Sequence, residues 1–170
     1  MQQNKKPTIL GIDPGTRITG YGIIDIESGP VDFGCIRPPP DLTLPERYKI
    51  IFDGVEALIA RHAPIAIAVE SQFVLKNAQS AIKLGMAKGM VYLAAARQSI
   101  PIYEYAPKKA KLAVAGTGGA SKLQVQKMIQ ALLRLPQLPE PEDAADALAL
   151  AICCAHQLRL PLCMNRSKVS

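Results

Sequence analysis

Four acidic residues, Asp13, Glu70, Asp143 and Asp146, stand at positions where a carboxylate could do chemistry. Asp13 ends the apolar, β-branched run Ile9-Leu10-Gly11-Ile12 and is followed by the turn signal Pro14-Gly15, so the pattern predicts a buried strand with an acid at its carboxyl end. Glu70 ends a second run of the same kind, Ile65 to Val69. Asp143 and Asp146 are three residues apart, hence neighbours on one face of the first turn of a predicted helix. Each acid also has a plainer account: a strand-end Asp can be a turn-former, and acids in a first turn can be caps. The helix that follows Asp143 is so rich in Ala, Leu and Ile that it must be buried, which makes two solvated caps the poorer explanation. Four carboxylates brought together repel strongly unless cations sit between them. Oxygen donors with no Cys or His beside them select Mg²⁺, with Mn²⁺ as the second choice. Two such ions clamp the attacking water and the leaving oxygen of a phosphodiester. The expected reaction class is metal-assisted hydrolysis of a nucleic-acid backbone.

The whole chain supports that direction. At 170 residues and 49% hydrophobic it suits one domain over 1–170 with a real core, and its ends, 1–7 and about 156–170, carry no informative pattern. No apolar run approaches the roughly 20 residues of a membrane span, and the polar, basic start from Met1 to Pro7 leads into no signal-peptide core. A soluble, cytoplasmic protein is expected. The formal charge of +6 favours an anionic partner. With four carboxylates set aside in a metal site, the remaining surface carries about +10. Cys35, Cys153, Cys154 and Cys163 form no CxxC pair and have no zinc spacing, which points to buried or idle thiols in a reducing compartment. His62 and His156 are isolated, as caps or packed side chains are.

The elements that must position the acids follow in order. Thr19 to Ile26 and Val31 to Arg37 predict two more strands joined in a meander, and Pro38-Pro39-Pro40 an extended connection. Thr43-Leu44-Pro45-Glu46 has capping-box spacing and opens a helix to about Arg61, closed by Pro64. Asn77 to Gln98 is helical in pattern, with Ala81, Leu84, Val91 and Ala95 on or near one stripe and Gly85 and Gly89 one turn apart, where a backbone or a partner subunit could approach. Ile100 to Tyr105 predicts a fifth strand, and Pro107 starts a short basic helix. The loop Gly116-Thr117-Gly118-Gly119-Ala120 lacks the Lys-Ser/Thr placement of a P-loop. It precedes a capped helix from Ser121 to about Arg134, and Pro136 to Pro141 is a loop.

In this order, Leu10-Gly11-Ile12-Asp13-Pro14-Gly15-Thr16 with Thr19-Gly20-Tyr21-Gly22, Val69-Glu70 followed by Phe73 and Lys76-Asn77, the Gly116-Thr117-Gly118 loop, and Asp143-Ala144-Ala145-Asp146-Ala147-Leu148-Ala149 resemble the RuvC family of Holliday-junction resolvases over about Thr8 to Ala155. The resemblance implies an α/β, RNase H-like fold, a five-stranded mixed sheet flanked by helices with the first and fourth strands adjacent. It also implies a homodimer that nicks two like-polarity strands of a four-way DNA junction symmetrically, and a RuvA–RuvB branch-migration complex as partner. By the same resemblance Asp13, Glu70, Asp143 and Asp146 are the metal-binding catalytic acids and Phe73 stacks on an unpaired base. Lys111 and Lys122 face phosphates near the site, and Lys76, Lys83, Lys108 and Lys109 are candidates for backbone contact.

Other readings compete. A related nuclease of the same fold with an RNA-containing target shares the acids, and a branched-DNA binding module that no longer cuts would share the basic surface. An actin-like ATPase or sugar kinase would use the Asp13-Pro14-Gly15-Thr16 turn as a phosphate loop, but needs two duplicated domains that 170 residues cannot supply.

Overall fold

The computed structural model describes residues 7–26, 29–71 and 77–166. Its elements are β1 (Thr8–Asp13), β2 (Thr19–Asp25), β3 (Gly29–Ile36), α1 (Leu44–His62), β4 (Ala66–Glu70), α2 (Ala78–Arg97), β5 (Ile102–Tyr105), α3 (Pro107–Ala115), α4 (Lys122–Leu133) and α5 (Glu142–Arg166). The five strands form one mixed sheet in the order β3-β2-β1-β4-β5. β1, β2 and β3 pair antiparallel, while β1 with β4 and β4 with β5 run parallel. This is the five-stranded mixed sheet that the family resemblance implies, including β1 beside β4.

Local signals set the element ends. The Glu46 carboxylate accepts from the Thr43 backbone N–H at 2.8 Å and from its hydroxyl at 2.6 Å, which ties the entry of α1. α1 ends where Ala63 turns left-handed (φ 46°), one residue before Pro64. The Asn77 side chain caps α2 by accepting from the Ser80 N–H at 3.1 Å. Ser121 and Gln124 form a reciprocal capping box at α4, with bonds of 3.2 and 2.8 Å. The fifth strand begins at Ile102 rather than Ile100, because Ile100 closes the turn after α2 with an N–H bond to the Ala95 carbonyl.

The sheet has two different faces. On one, Leu10, Ile12, Ile23, Ile67 and Val69 pack against Val55, Leu58 and Ile59 of α1 and Val91, Ala94 and Ala95 of α2. The buried stripe of α2 runs through Ala87, Val91, Ala94 and Ala95, so the expected Ala81 and Leu84 lie at its half-buried margin. On the other face Ile9, Ala66 and Ala68 meet α5, with α3 and α4 packed beyond it. Strand alternation sends neighbouring residues to opposite faces, so Asp13 and Glu70 belong with Gly11 and Ala68 on the α5 side.

Candidate active site

The site is assembled in one row across the sheet. Asp13 pairs with Gly20 of β2, and Gly20 with Cys35 of β3. On the other side, Gly11 lies opposite Ala68 and Ile12 opposite Val69, so the parallel register carries Asp13 beside Glu70 at the carboxyl ends of both strands. That edge is where open α/β sheets place their ligands.

The helix arrives over this row because the strands have no side chains beneath it. A Cβ added to Gly11 would lie 2.0 Å from the Ala147 carbonyl oxygen, one added to Gly20 would lie 2.0 Å from that of Asp143, and one added to Gly22 would lie 2.7 Å from Leu148 Cγ. α5 therefore rests on bare strand backbone, which only glycine permits. The small residues Ala144, Ala147 and Ala151, fully buried, complete the contact. The result is that Asp143 and Asp146, in the first turn and a half of α5, come down over Asp13. The β1–β2 turn is fixed by Thr19, whose hydroxyl donates to the Gly15 carbonyl at 2.9 Å and accepts from the Gly15 N–H at 3.3 Å.

Electrostatics confirm the proximity. Burial pushes the Asp13 carboxyl up to about 8, and the charges of Glu70, Asp146 and Asp143 push in the same direction, with Lys122 opposing. Burial also holds Asp146 above the usual carboxylate range, against the pull of Lys122; Asp143 and Glu142 add to the rise and Lys111 opposes it. Among the described residues no three His, Cys, Asp or Glu side chains are drawn tightly enough to cage an ion. The donor chemistry fits a hard divalent cation, since Glu70, Asp143 and Asp146 all act on Asp13 and the repulsion among such carboxylates is what an ion of this kind relieves. Cys35, a free thiol, lies at this end of the sheet, across Gly20 from Asp13. Burial, and then the Asp143 charge, raise its pKa, which disfavours the thiolate.

The basic residues divide. Lys122 acts on Asp13 and Asp146, and its Nζ is paired with Glu142 at 2.7 Å, a partner that sequence spacing did not suggest. Lys111 acts on Asp146. Lys109 places its Nζ over the Tyr105 ring at 5.0 Å, and Lys108 is exposed on the same helix, beside Gly118. Lys83 sits on α2, across the sheet from α5, where its carbonyl accepts from the Tyr48 hydroxyl at 3.1 Å. Phe73 and Lys76 lie outside the described residues. Gly116 is the left-handed cap of α3 (φ 72°), a structural role for the Gly-rich loop. Sequence reasoning missed the glycine floor under α5; the signal was Gly11, Gly20 and Gly22 at alternating positions of two adjoining strands.

Residues 9–154 match the family model described as crossover junction endodeoxyribonuclease RuvC. A protein of that name from Protochlamydia amoebophila is 64% identical over 150 residues, 86% of this chain and 89% of that one. Its namesake from Chlamydia pneumoniae is 49% identical over 161 residues, 91% and 96% of the two chains. The solved structure of Thermus thermophilus RuvC in complex with a Holliday junction substrate superposes with a TM-score of 0.86 at 33% identity, covering 91% of this chain and 96% of that one.

Proposed function

The chain belongs to the RuvC family of crossover junction endodeoxyribonucleases, and from that premise we propose how its own residues resolve a Holliday junction. The protein is a junction resolvase and a hydrolytic nuclease of DNA recombination and repair. Asp13, Glu70, Asp143 and Asp146 are the catalytic acids and hold Mg²⁺, two ions per site, with Mn²⁺ as an acceptable substitute. When bound, the ions supply a polarised water and neutralise charge at the cleaved phosphate. The protein supplies the rest. β1 and β4 fix two carboxylates at adjacent strand ends, and the glycine floor sets the height of the other two. Lys122 and Lys111, which already bias the potential at Asp146, stabilise charge on the phosphate oxygens. Phe73 stacks on an unpaired base at the junction centre, and Lys76, Lys83, Lys108 and Lys109 contact backbone.

A homodimer carries two such sites and makes symmetric nicks in two strands of like polarity. The face of α2 that carries Ile82, Met86 and Leu93 is exposed, and at Gly85 and Gly89 an added Cβ would meet nothing within 4 Å. We assign the dimer contact to this face, and Gly89→Trp should leave a monomer in analytical ultracentrifugation. No described helix is long and apolar enough to cross a membrane, and action in the cytoplasm beside a RuvA–RuvB motor is part of the same proposal.

The observation that carries the reading is the convergence of Glu70, Asp143 and Asp146 on Asp13, whose carboxyl is raised to about 8 by burial and by those three charges. The test is cleavage of a mobile synthetic four-way junction, with linear duplex and RNA/DNA hybrid as controls. Paired nicks confined to the junction are expected. Activity only on the hybrid would keep the fold and replace the substrate, and binding without nicks would remove the catalytic assignment.

A further inference from the structure

Between the β1–β2 turn, the end of β3 and the start of α1 lies a cleft of about 490 Å³, lined by Arg17, Ile18, Arg37, Pro38, Pro40 and Arg47. Three guanidinium groups therefore border one concavity. Among the described residues none of the three is paired with a carboxylate. Arg17 and Arg37 are exposed and Arg47 half-buried. Arg47 is also held in place: its Nε donates to the Leu42 carbonyl at 2.9 Å and its Nη2 to the Pro40 carbonyl, leaving the other guanidinium N–H groups for a ligand. Pro38 and Pro40 line the same cleft, and their φ angles are fixed by the rings, so little ordering is needed when a ligand arrives.

The cleft adjoins the acids. Arg17 follows Asp13 on the latched β1–β2 turn, and Arg37 comes two residues after Cys35, the residue that ends the Asp13–Gly20–Cys35 row. Arg37, Asp143 and Asp13 all act electrostatically on the Cys35 thiol. An anionic site for metal and a cationic wall thus meet at one end of the sheet. Guanidinium groups bind phosphate with two parallel N–H donors and read no base. A backbone that places one phosphate at the carboxylates must run on past one wall of the site, and here that wall is basic and unpaired. A free mononucleotide would need no such continuity.

We infer that this cleft seats the sugar-phosphate backbone of the DNA arm leading away from the cleaved phosphate, with Arg17, Arg37 and Arg47 as sequence-independent contacts. The assignment rests on the nuclease reading above and adds to it the path of one strand. Each phosphate contact contributes about 0.9 to the slope of log K against log salt, which is about fivefold in affinity at about 0.15 M salt relative to 1 M.

The experiment is fluorescence anisotropy of a labelled four-way junction with the full chain, in Ca²⁺ to hold nicking off, across about 50 to about 200 mM NaCl. Arg17→Gln and Arg37→Gln remove charges that support no described hydrogen bond. Arg97→Gln, on α2 and paired with Glu56 at 2.9 Å on the far side of the sheet, is the control. The two cleft variants should each lower the slope by about 0.9 and weaken binding about fivefold at about 0.15 M, equally for junctions of different sequence, and their double variant should do so about additively. The control should match wild type. A double variant with wild-type affinity and slope, on a wild type that binds junctions, would overturn the cleft and leave the nuclease reading standing. A wild type that bound no junction would overturn both.

Discussion

The two faces of the sheet are built by opposite rules. Toward α1 and α2 the strands present Leu10, Ile12, Ile67 and Val69, and the helices stand off on a layer of branched side chains. Toward α5, β1 and β2 present Gly11, Gly20 and Gly22, and the helix lies on their backbone. The first face provides ordinary apolar burial, in which several side chains of similar size would serve. The second sets a distance. Two carboxylates on strand ends and two on a helix turn share a site only if helix and sheet approach closely, and removing side chains from the strands achieves that approach. The sharper dependence on single atoms therefore belongs to the face that carries chemistry.

The largest expected effect breaks the second face. Gly11→Ala sets a methyl 2.0 Å from the Ala147 carbonyl oxygen and 2.9 Å from the Ala151 nitrogen, both backbone atoms that cannot rotate away. Urea unfolding should show a loss of at least about 3 kcal/mol, with nicking lost as α5 lifts. Next in size is the charge stored under α5. The Asp13 pKa rises from 3.8 to about 8 on folding, so the native state keeps a proton that the unfolded chain releases. In EDTA, the contribution of Asp13 to stability should be fully present below about pH 4 and should be lost as pH rises toward about 8, and Asp13→Asn should remove that part of the pH dependence. On the opposite face Ile67→Val deletes one buried methylene and should cost about 1 kcal/mol in the same unfolding assay, with nicking unchanged. Smallest, and opposite in sign, is Gly85→Ala on α2: an added methyl there meets nothing within 4 Å, so dilute, monomeric protein should gain about 0.8 kcal/mol from helix propensity alone.

These contrasts also mark what sequence could convey. The strands, the capped helices and all four acids were readable because each is a local pattern: an apolar run ending in an acid, Ser121 three residues before Gln124, Asp143 three before Asp146. The adjacency of β1 and β4 came from family resemblance, since no local signal orders strands within a sheet. The glycine floor escaped because a strand glycine looks like a weakness until the helix above it is known. The place of Cys35 in the row with Asp13 is a matter of register across β2, which no local pattern displays. Arg17, Arg37 and Arg47 are scattered over three segments and converge only in the folded chain. Lys83, proposed from its type as a backbone contact, sits on α2 across the sheet from α5, a placement that residue type alone does not reveal.

The central claim is that Asp13, Glu70, Asp143 and Asp146 act as one metal site held at its height by the glycine floor. Titration of Mn²⁺ into the folded protein, followed by electron paramagnetic resonance, tests it most directly, comparing wild type with Asp13→Asn and Asp143→Asn. The account predicts that either single amide, one on the sheet and one on the helix, weakens Mn²⁺ binding at least about tenfold, equivalent to about 1.4 kcal/mol, while circular dichroism stays native. Wild-type Mn²⁺ affinity in Asp143→Asn would show that strand and helix carboxylates do not share an ion, and would contradict the account.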